Sequence, residues 1–563
     1  MIIVVITEAS VAYLGLTQIA RLSTLGGFIG PEPKFALAVS HFQDGDLPEA
    51  ERLLLEVAAE TGGNADVYGR LAVIGLNTGR KDQALQWLAQ SVSLAGADID
   101  PLLLKSEIMA ALEDPATAIA ACEDAAAIQP RDPRPWMRIA AIHRHNDRRY
   151  DAMVAWRKAL EIDPNHPSAH ANMGVMLKHR GDVVGAEDHF VRALALRPND
   201  AGVRLRLADL MAEGGRYADA AGEYRRVLEI KPDNIQALVN LGYALLETRD
   251  YEDALAAGKR AGALDPALDH AHHLIGRARY YLDDGEKAVV SLKRSIDINP
   301  GFVMAHASLA KQFLAMGRAE DCLAAAEQCL DLDPANTTAL AYKAVALTEA
   351  GRRAEAEAIL DFDTFVRTTV FTDAPGFGDM DAFNQALAEH VAGHETMVAN
   401  PSNKSTIGGG QTLELLDGDP GPVAVLADMI TGSVEQYMAE VAQAAPDHPH
   451  VKALPEEWGL ISWGVVLGDE GFHHMHIHDS GWLSSVYYIR VPPSIARQPN
   501  SDAGWLEFGP PPPTFPTKAQ HPSLRLQPEE GKLVLFPSSF YHGTLPFRDA
   551  APRITVSFDI VPK

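Results

Sequence analysis

The sequence is poor in cysteine, lacks long apolar runs and has no excess of basic residues, and each shortage excludes a class of protein. Its three cysteines, Cys122, Cys322 and Cys329, all fall in segments with helical patterns. An odd number of cysteines in such places predicts a reducing compartment and no disulfide framework. No segment reaches the roughly 20 uninterrupted apolar residues that a membrane-spanning helix needs. We therefore expect a cytoplasmic protein that does not cross a membrane.

Charge and length indicate the class of partner and the number of domains. The chain has 49 lysine and arginine residues against 75 aspartate and glutamate residues, a formal net charge of −26. This balance argues against a nucleic-acid partner. A chain of 563 residues is too long for one hydrophobic core and predicts several domains or a repeat array. Residues 1–30 are apolar but carry Glu8 and no basic start, so we expect a leader segment or an additional helix there rather than a signal peptide.

A regular repeat occupies the next part of the chain. Prolines recur every 34 residues, at positions 130, 164, 198, 232, 266, 300 and 334. A small residue recurs in a second register, with alanine at positions 50, 84, 118, 152, 186, 220, 254, 288 and 356 and Cys322 at the remaining one. Glycines lie five residues before several of these positions, at 45, 79, 181, 215, 317 and 351. The pattern predicts two closely packed helices per repeat, joined by a turn that contains the glycine.

These repeats resemble the tetratricopeptide repeat. The segment SAHANMGVMLKHRGDVVGAEDHFVRALALRP matches the small, aromatic and proline positions of that family at Gly174, Gly181, Ala186, Phe190, Ala193 and Pro198. The resemblance implies about ten helix pairs between residues 31 and 362, stacked into an all-α superhelix with a concave groove. Ligands of such arrays are usually peptides, so we expect a protein or peptide partner in the groove.

Residues 363–563 are predicted to form a second domain, of α+β type. Its first half has two helical stretches, MDAFNQALAEHVAGHE and PVAVLADMITGSVEQYMAEVAQAA, and between them the segment STIGGGQT, for which we expect a mobile loop. Its second half has short, aromatic-rich strands, namely LISWGVVL, WLSSVYYIRV, GWLEFG, KLVLFP and RITVSFDIV. Their spacing predicts a double-stranded β-helix, or jelly-roll, core. His448 and His450 lie between prolines and are expected in a surface loop.

Histidines beside two of these strands indicate a metal site. The run GFHHMHIHDS contains four of them, and His476 and His478 are two residues apart, so both would point to the same face of a strand. His542 follows an apolar strand in GKLVLFPSSFYHGTLPF. We expect His473 and His474 to face solvent or to lie behind the ligands, although either could contact a substrate.

The motifs HIHDSGWLSSVYYI, GWLEFG, GKLVLFPSSFYHGTLPF and RITVSFDI, in that order, resemble the 2-oxoglutarate- and Fe(II)-dependent oxygenases of the prolyl-hydroxylase-like superfamily. The resemblance implies Fe(II) and 2-oxoglutarate as cofactor and cosubstrate, with dioxygen as a further reactant. It implies His476 and His542 as metal ligands. It also implies that Arg553, with Thr555 and Tyr488, binds the far carboxylate of 2-oxoglutarate.

The chain departs from that family at one ligand. The family has aspartate or glutamate where this sequence has His478, and Asp479 comes one residue too late for the same face. His478 could complete a three-histidine site, Asp479 could reach the metal through a bulge, or His478 could lie behind two histidine ligands and water. An all-histidine site would also accept zinc or manganese.

Together the two resemblances predict a multidomain enzyme, in which the repeats recruit a protein or peptide and the second domain hydroxylates one of its side chains. Two alternatives remain open. The second domain could oxidise a small molecule of secondary metabolism, with the repeats serving assembly. The protein could also be a tetratricopeptide scaffold with a metal-binding barrel that has no catalytic activity.

Overall fold

The computed structural model describes residues 33–399, 405–496 and 501–563. The predicted leader, residues 1–30, lies outside the described residues. The chain divides into two compact units, of which the first ends at Pro232 and the second begins at Asp233. The predicted boundary between repeats and second domain at residue 362 lies inside the second unit and stays a prediction.

Helices follow one another in pairs through the repeat region. Those of the first unit are α1 Pro33–Gln43, α2 Leu47–Thr61, α3 Ala65–Asn77, α4 Lys81–Leu94, α5 Asp100–Ala111, α6 Pro115–Ile128, α7 Arg134–His145, α8 Arg149–Ile162, α9 Pro167–His179, α10 Val183–Leu196, α11 Ala201–Glu213 and α12 Tyr217–Ile230. Those of the second unit are α13 Ile235–Glu247, α14 Tyr251–Leu264, α15 Asp269–Tyr281, α16 Gly285–Ile298, α17 Val303–Ala315, α18 Ala319–Leu332, α19 Thr337–Glu349 and α20 Arg353–Ile359. None of the helices in the described ranges is long and apolar enough to cross a membrane.

The recurring small residue marks the contact between the two helices of each pair. The nine alanines in this register and Cys322 have no exposed surface, so a larger side chain would push the helices apart. The turn before each of them contains a residue with positive φ, which is glycine at six positions, for instance Gly181 with φ 80°. At the equivalent place in four other repeats the residue is Glu113, Asp147, Arg249 or Asp283, with φ between 54° and 67°.

The left-handed turn gives a first prediction, on the free energy of unfolding. A Cβ added at Gly181 would have no atom within 4 Å, so Gly181→Ala should destabilise the first unit by about 1 kcal/mol through backbone strain alone. Glu113→Gly removes the same strain at an equivalent turn, and we expect it to leave stability unchanged or raise it slightly. Urea unfolding of both variants checks this, and an equal loss in both would contradict it.

The second unit continues into a curled antiparallel sheet with helices packed on it. The strands are β1 Arg367–Val370, β2 Val398–Ala399, β3 Thr406–Gln411, β4 Trp458–His476, β5 Leu483–Arg490, β6 Leu506–Phe508, β7 Leu524–Leu526, β8 Lys532–Pro537, β9 His542–Thr544 and β10 Arg553–Pro562. The helices are α21 Phe362–Phe365, α22 Met380–Ala392, α23 Pro422–Ala444, α24 Pro449–Lys452 and α25 Pro493–Ala496. Hydrogen-bonded neighbours run in the order β1-β8-β5-β10-β4-β9-β6-β7, with β2 and β3 continuing from β4.

This arrangement confirms the predicted fold class, all-α repeats followed by a sheet domain whose curl is compatible with a jelly roll. Strand β5 lies between β8 and β10, and helix α22 packs beside it. The hydroxyl of Tyr487 on β5 donates to Asn384 of α22 at 2.7 Å. The next residue, Tyr488, therefore points to the opposite face of the sheet, into the barrel.

Two local expectations are wrong. STIGGGQT was expected to be a mobile loop, but residues 406–411 form β3 and pair with β4. His448 and His450 were expected on the surface, but His450 is 4% exposed and its ring stacks on Trp482 at a centroid distance of 4.3 Å. The Nε2 of His450 lies 3.1 Å from the hydroxyl of Tyr437. His448 is half-buried, with its Nε2 3.2 Å from the carbonyl oxygen of Ile359.

The burial of His450 predicts how stability changes with pH. Burial lowers the pKa of His450 to about 3, so the unfolded chain takes up a proton near pH 6.5 that the folded protein does not bind. The stabilisation is therefore present above that pH and is lost as pH falls towards 3, by about 2 kcal/mol between pH 7 and pH 5. His450→Phe should remove this share of the loss in urea unfolding at the two pH values. His474→Phe, at an exposed histidine, is the matched control for the substitution itself.

Within the second unit, the last repeat contacts the sheet domain directly. The carboxylate of Glu349, at the end of α19, accepts the backbone N–H of Lys518 at 2.8 Å and that of Ala519 at 3.1 Å. The ring of Tyr342 on the same helix meets Phe515 edge-on at 6.0 Å. The hydroxyl of Thr337, at the start of α19, donates to the carbonyl oxygen of Asp479 at 3.0 Å. The repeats of this unit are therefore packed against the segments that surround the predicted metal site.

Candidate metal centre

Two paired strands bring the predicted histidine ligands together. His476 ends β4 and is the direct antiparallel partner of His542, which begins β9. The two rings lie 4.3 Å apart, and His478 is 5.1 Å from His476 and 5.0 Å from His542, measured between ring centroids. One ring nitrogen from each of the three lies within 4.8 Å of the others. This group could hold a metal ion.

Each of the three imidazoles has its Nδ1 occupied by an oxygen acceptor. The Nδ1 of His476 lies 2.7 Å from the carbonyl oxygen of His474, and that of His542 lies 3.0 Å from the carbonyl oxygen of Phe540. The Nδ1 of His478 lies 2.6 Å from a carboxylate oxygen of Asp559. An Nδ1–H that donates to these oxygens puts the lone pair on Nε2, the tautomer that metal-bound histidines commonly have. The Nε2 of His476 lies 3.2 Å from that of His478 and 3.2 Å from the hydroxyl oxygen of Ser405.

Asp559 is a residue that the sequence reasoning missed. It lies on β10, opposite Ser484 of β5, whose hydroxyl donates to the same carboxylate oxygen at 2.7 Å. Among the described residues the cluster holds three histidines and no carboxylate, and the carboxylate of Asp559 lies behind His478. A carboxylate in this position fixes the orientation of the ring and raises the basicity of its free nitrogen. The pairing of β10 with β4 and β5 brings it there, so a single sequence gives no local signal for it.

The other candidates around the motif lie outside the cluster. Asp479 is exposed, and its carboxylate accepts the hydroxyl of Ser480 at 3.1 Å. The pairing of β4 with β9 shifts register between His473 and His476, and such a bulge redirects side chains. His473 is partly buried, with its Nδ1 3.2 Å from the hydroxyl oxygen of Thr544, whereas His474 is exposed.

Burial keeps two of the clustered imidazoles neutral. It lowers the pKa of His476 to about 4, and it lowers the pKa of His542 well below its usual value, with the neighbouring imidazoles acting in the same direction. A neutral ring nitrogen can coordinate a metal, whereas a protonated one cannot. At neutral pH both rings are therefore ready to act as ligands.

Arg553 is a buried cation that has no anionic partner among the residues the structure describes. It is 2% exposed, and its guanidinium lies 5.0 Å from the ring centre of Tyr488. Its Nη1 donates to the carbonyl oxygen of Gly504 at 3.2 Å, but its Nε has no hydrogen-bond partner among the described residues. Burial lowers the pKa of Arg553. A buried charge normally needs a counter-ion, so the site suits a carboxylate ligand.

Thr555 and Tyr488, the two side chains expected to act with Arg553, lie on the paired strands β10 and β5. Thr555 is the direct partner of Tyr488 across β10 and β5, and both are buried. Burial raises the pKa of the Tyr488 hydroxyl. That hydroxyl is within electrostatic reach of the guanidinium, yet no hydrogen bond of normal geometry satisfies it in the described part of the chain. Two buried polar atoms, the Nε of Arg553 and the hydroxyl oxygen of Tyr488, therefore lack a hydrogen-bond partner among the described residues, which fits a site for a carboxylate ligand.

Residues 461–559 match the family described as "Putative 2OG-Fe(II) oxygenase". The match contains the five strands β5 to β9, almost all of β4 and most of β10. It therefore includes all three clustered histidines and Arg553. It confirms the resemblance of the second domain, and this family implies Fe(II) and 2-oxoglutarate. The tetratricopeptide repeat family matches residues 41–108, 177–241 and 211–279, which confirms the repeat prediction.

Solved structures similar to this chain are tetratricopeptide repeat proteins. YrrB, described as having an unusual peptide-binding site, is 22% identical over 33% of this chain and 96% of its own, with a TM-score of 0.32. The C-terminal part of a repeat protein from Cytophaga hutchinsonii is 21% identical over 42% of this chain and 97% of its own, with a TM-score of 0.36. PilF of Pseudomonas aeruginosa is 17% identical over 38% and 96%, with a TM-score of 0.33. No curated protein matches the chain.

Proposed function

We propose that the protein is a 2-oxoglutarate- and Fe(II)-dependent dioxygenase that hydroxylates a side chain of a protein or peptide recruited by its repeats. The observation that carries the proposal is the pairing of two features on neighbouring strands. Three imidazoles converge with their Nδ1 atoms occupied. A buried guanidinium that has no ion pair among the described residues, and whose Nε is unsatisfied, lies on β10 beside Tyr488. A bare metal site would need the first feature but not the second.

In this proposal His476, His478 and His542 hold the metal, and Arg553 binds the far carboxylate of 2-oxoglutarate with help from Tyr488 and Thr555. Bound iron supplies the redox chemistry by which 2-oxoglutarate and dioxygen oxidise a C–H bond. The chain's own residues orient the cosubstrate and exclude water from it. The guanidinium suits this role because its planar fork can pair with both oxygens of a carboxylate. An all-histidine ligand set also accepts zinc or manganese, so iron is part of the proposal.

Aspartate variants distinguish the three ligand arrangements. Asp559→Asn removes the charge behind His478, and we expect the metal affinity to fall by about 10- to 100-fold, because partners of this kind tune a histidine ligand. Asp479→Asn should leave it unchanged. Equilibrium dialysis of both variants with Fe(II) under nitrogen provides the measurement. Loss of affinity in Asp479→Asn alone would instead make Asp479 the ligand, and no loss in either would leave His478 without a role at the metal.

The reaction itself is tested by product formation. With a C–H substrate, the Fe(II)-loaded protein should convert 2-oxoglutarate and dioxygen to succinate and CO2, the second oxygen atom entering the substrate as a hydroxyl group, and His542→Ala should not. Without substrate, ascorbate is added to reduce that oxygen atom to water, and turnover should be slower. Addition of a substrate should raise the rate, so a stimulating protein supports the proposal, while stimulation by small metabolites alone supports the small-molecule alternative. Absence of succinate from fully iron-loaded protein, with or without candidate substrates, would favour a scaffold without catalytic activity.

A further inference from the structure

An extended segment of the chain already lies against the last repeat. Residues 515–521 contain neither helix nor strand, and they contact α19 through Phe515 on Tyr342 and through two backbone N–H groups on Glu349. The Nε2 of His521 lies 2.9 Å from the same carboxylate. A Cβ at Gly317, after α17, would lie 3.7 Å from Pro516. This face of the repeats therefore accommodates an extended, proline-containing peptide.

Residues at equivalent helix positions in the two preceding repeats extend this face. Tyr281 on α15 is two repeats before Glu349, since 68 residues separate them. Lys311 on α17 and Arg277 on α15 are 34 residues apart and so occupy equivalent places. The ammonium of Lys311 lies 4.7 Å from the ring centre of Tyr280 and 5.7 Å from that of Tyr281. We call Arg277, Tyr280, Tyr281 and Lys311 the lysine–tyrosine surface.

Of the two cations of this surface, Lys311 has no ion pair with any carboxylate in the described part of the chain, whereas Arg277 has one. The ammonium of Lys311 instead contacts the rings of Tyr280 and Tyr281. Arg277 has Glu247 at 3.6 Å, with both side chains partly exposed. Tyr281 is 39% exposed. Cations beside accessible aromatic rings, in a chain of net charge −26, complement carboxylates separated by apolar side chains.

The face that carries the lysine–tyrosine surface also contacts the sheet domain. The equivalent of Tyr281 on α19 is Glu349, which accepts two backbone N–H groups of that domain. The hydroxyl of Thr337, at the start of the same helix, donates to the carbonyl oxygen of Asp479 at 3.0 Å, and Asp479 follows the proposed ligand His478 in the sequence. A peptide on this surface would therefore lie on the side of the repeats that contacts the domain of the metal centre.

We propose that the lysine–tyrosine surface binds an extended acidic segment of a protein, alongside residues 515–521. This inference deepens the proposed function. The statement that the bound protein is the hydroxylation substrate rests on that function. Carboxylates of the segment pair with Lys311 and Arg277, while prolines or other apolar residues between them pack on Tyr280 and Tyr281. The geometry places the bound segment on the side of the repeats that contacts the sheet domain.

Fluorescein-labelled peptides of equal length test the proposal on metal-free full-length protein. Their sequences alternate proline with glutamate, with glutamine or with lysine. The glutamate peptide should bind most tightly and more weakly at higher salt, and Lys311→Glu should weaken it by at least about tenfold, measured by anisotropy. Lys287→Glu is the matched control, because Lys287 is an exposed lysine of α16 paired with Asp284 at 2.9 Å, and it should retain the affinity. Lys311→Gln should give an intermediate loss, and circular dichroism checks that each variant is folded.

Three results would overturn the proposal: equal binding of the glutamate and glutamine peptides, an equal loss in Lys287→Glu, or no binding of the glutamate peptide. Because the assay contains no metal and no 2-oxoglutarate, these results do not depend on the oxygenase chemistry. Failure of succinate formation in the iron-loaded protein would, in turn, leave the peptide result intact. The two proposals can therefore fail separately.

Discussion

Replacing His542 with alanine should abolish metal binding by the second domain while the protein stays folded. His542 is 6% exposed, and its ring is 4.3 Å from that of His476. Removing one of three ligands should lower the affinity for Fe(II) or Mn(II) by more than about 100-fold, beyond the effect of altering a residue behind a ligand. Equilibrium dialysis under nitrogen measures the affinity.

The control for this prediction lies in the same motif. His474 is exposed and contributes only its backbone carbonyl to the Nδ1 of His476, so His474→Ala should bind metal like the parent. Circular dichroism and the urea midpoint show whether His542→Ala is folded, since its ring also packs 4.6 Å from Phe536. A folded His542→Ala protein with the parent's metal affinity would show that the three histidines do not form the metal site.

Arg553→Met should weaken the binding of 2-oxoglutarate without changing metal binding or folding. The affinity for 2-oxoglutarate should fall by about 100-fold or more, because a buried charge pair loses one partner. The affinity for metal should stay the same, since Arg553 is not in the histidine cluster. Calorimetric titration of Mn(II)-loaded protein with 2-oxoglutarate measures the cosubstrate affinity, and equilibrium dialysis measures the metal affinity.

Stability gives a further distinction for Arg553. A residue that served only the fold would destabilise the protein when replaced. Arg553 instead has an unsatisfied Nε and no ion pair in the described part of the chain, so Arg553→Met should leave the ligand-free protein as stable as the parent or more stable. Arg548→Met, at an arginine whose side chain is 81% exposed, should change neither affinity. A large loss of stability with unchanged 2-oxoglutarate affinity would assign Arg553 to the fold.

Periodic features of the structure were predictable from the sequence because every repeat packs its two helices in the same way. The buried small residue, from Ala50 to Ala356, and the left-handed turn before it follow from helix contact and backbone geometry alone. The histidine pair was also predictable, since alternate residues of a strand share a face. Where the turn residue is not glycine, as at Asp147, the register rather than the residue type identifies the turn.

Long-range pairing explains what the sequence did not show. The three glycines of STIGGGQT suggested a loop, but a Cβ at Gly409 would lie 2.4 Å from the carbonyl oxygen of Val466, so glycine there permits close strand pairing. Asp559 reaches His478 only through the sheet, 81 residues along the chain. His450 is buried because Trp482 and Tyr437 cover it, which the flanking prolines do not indicate.

An anaerobic titration of the metal-free protein, first with Fe(II) and then with 2-oxoglutarate, tests the proposed oxygenase centre most directly. A 2-oxoglutarate molecule chelated to Fe(II) gives a weak visible charge-transfer band. We predict that the band appears in the parent, is absent from His476→Ala, and needs a much higher 2-oxoglutarate concentration in Arg553→Met. Binding of Fe(II) without the band, or exclusion of iron by zinc at equal concentration, would contradict the account and leave a metal-binding repeat protein of another kind.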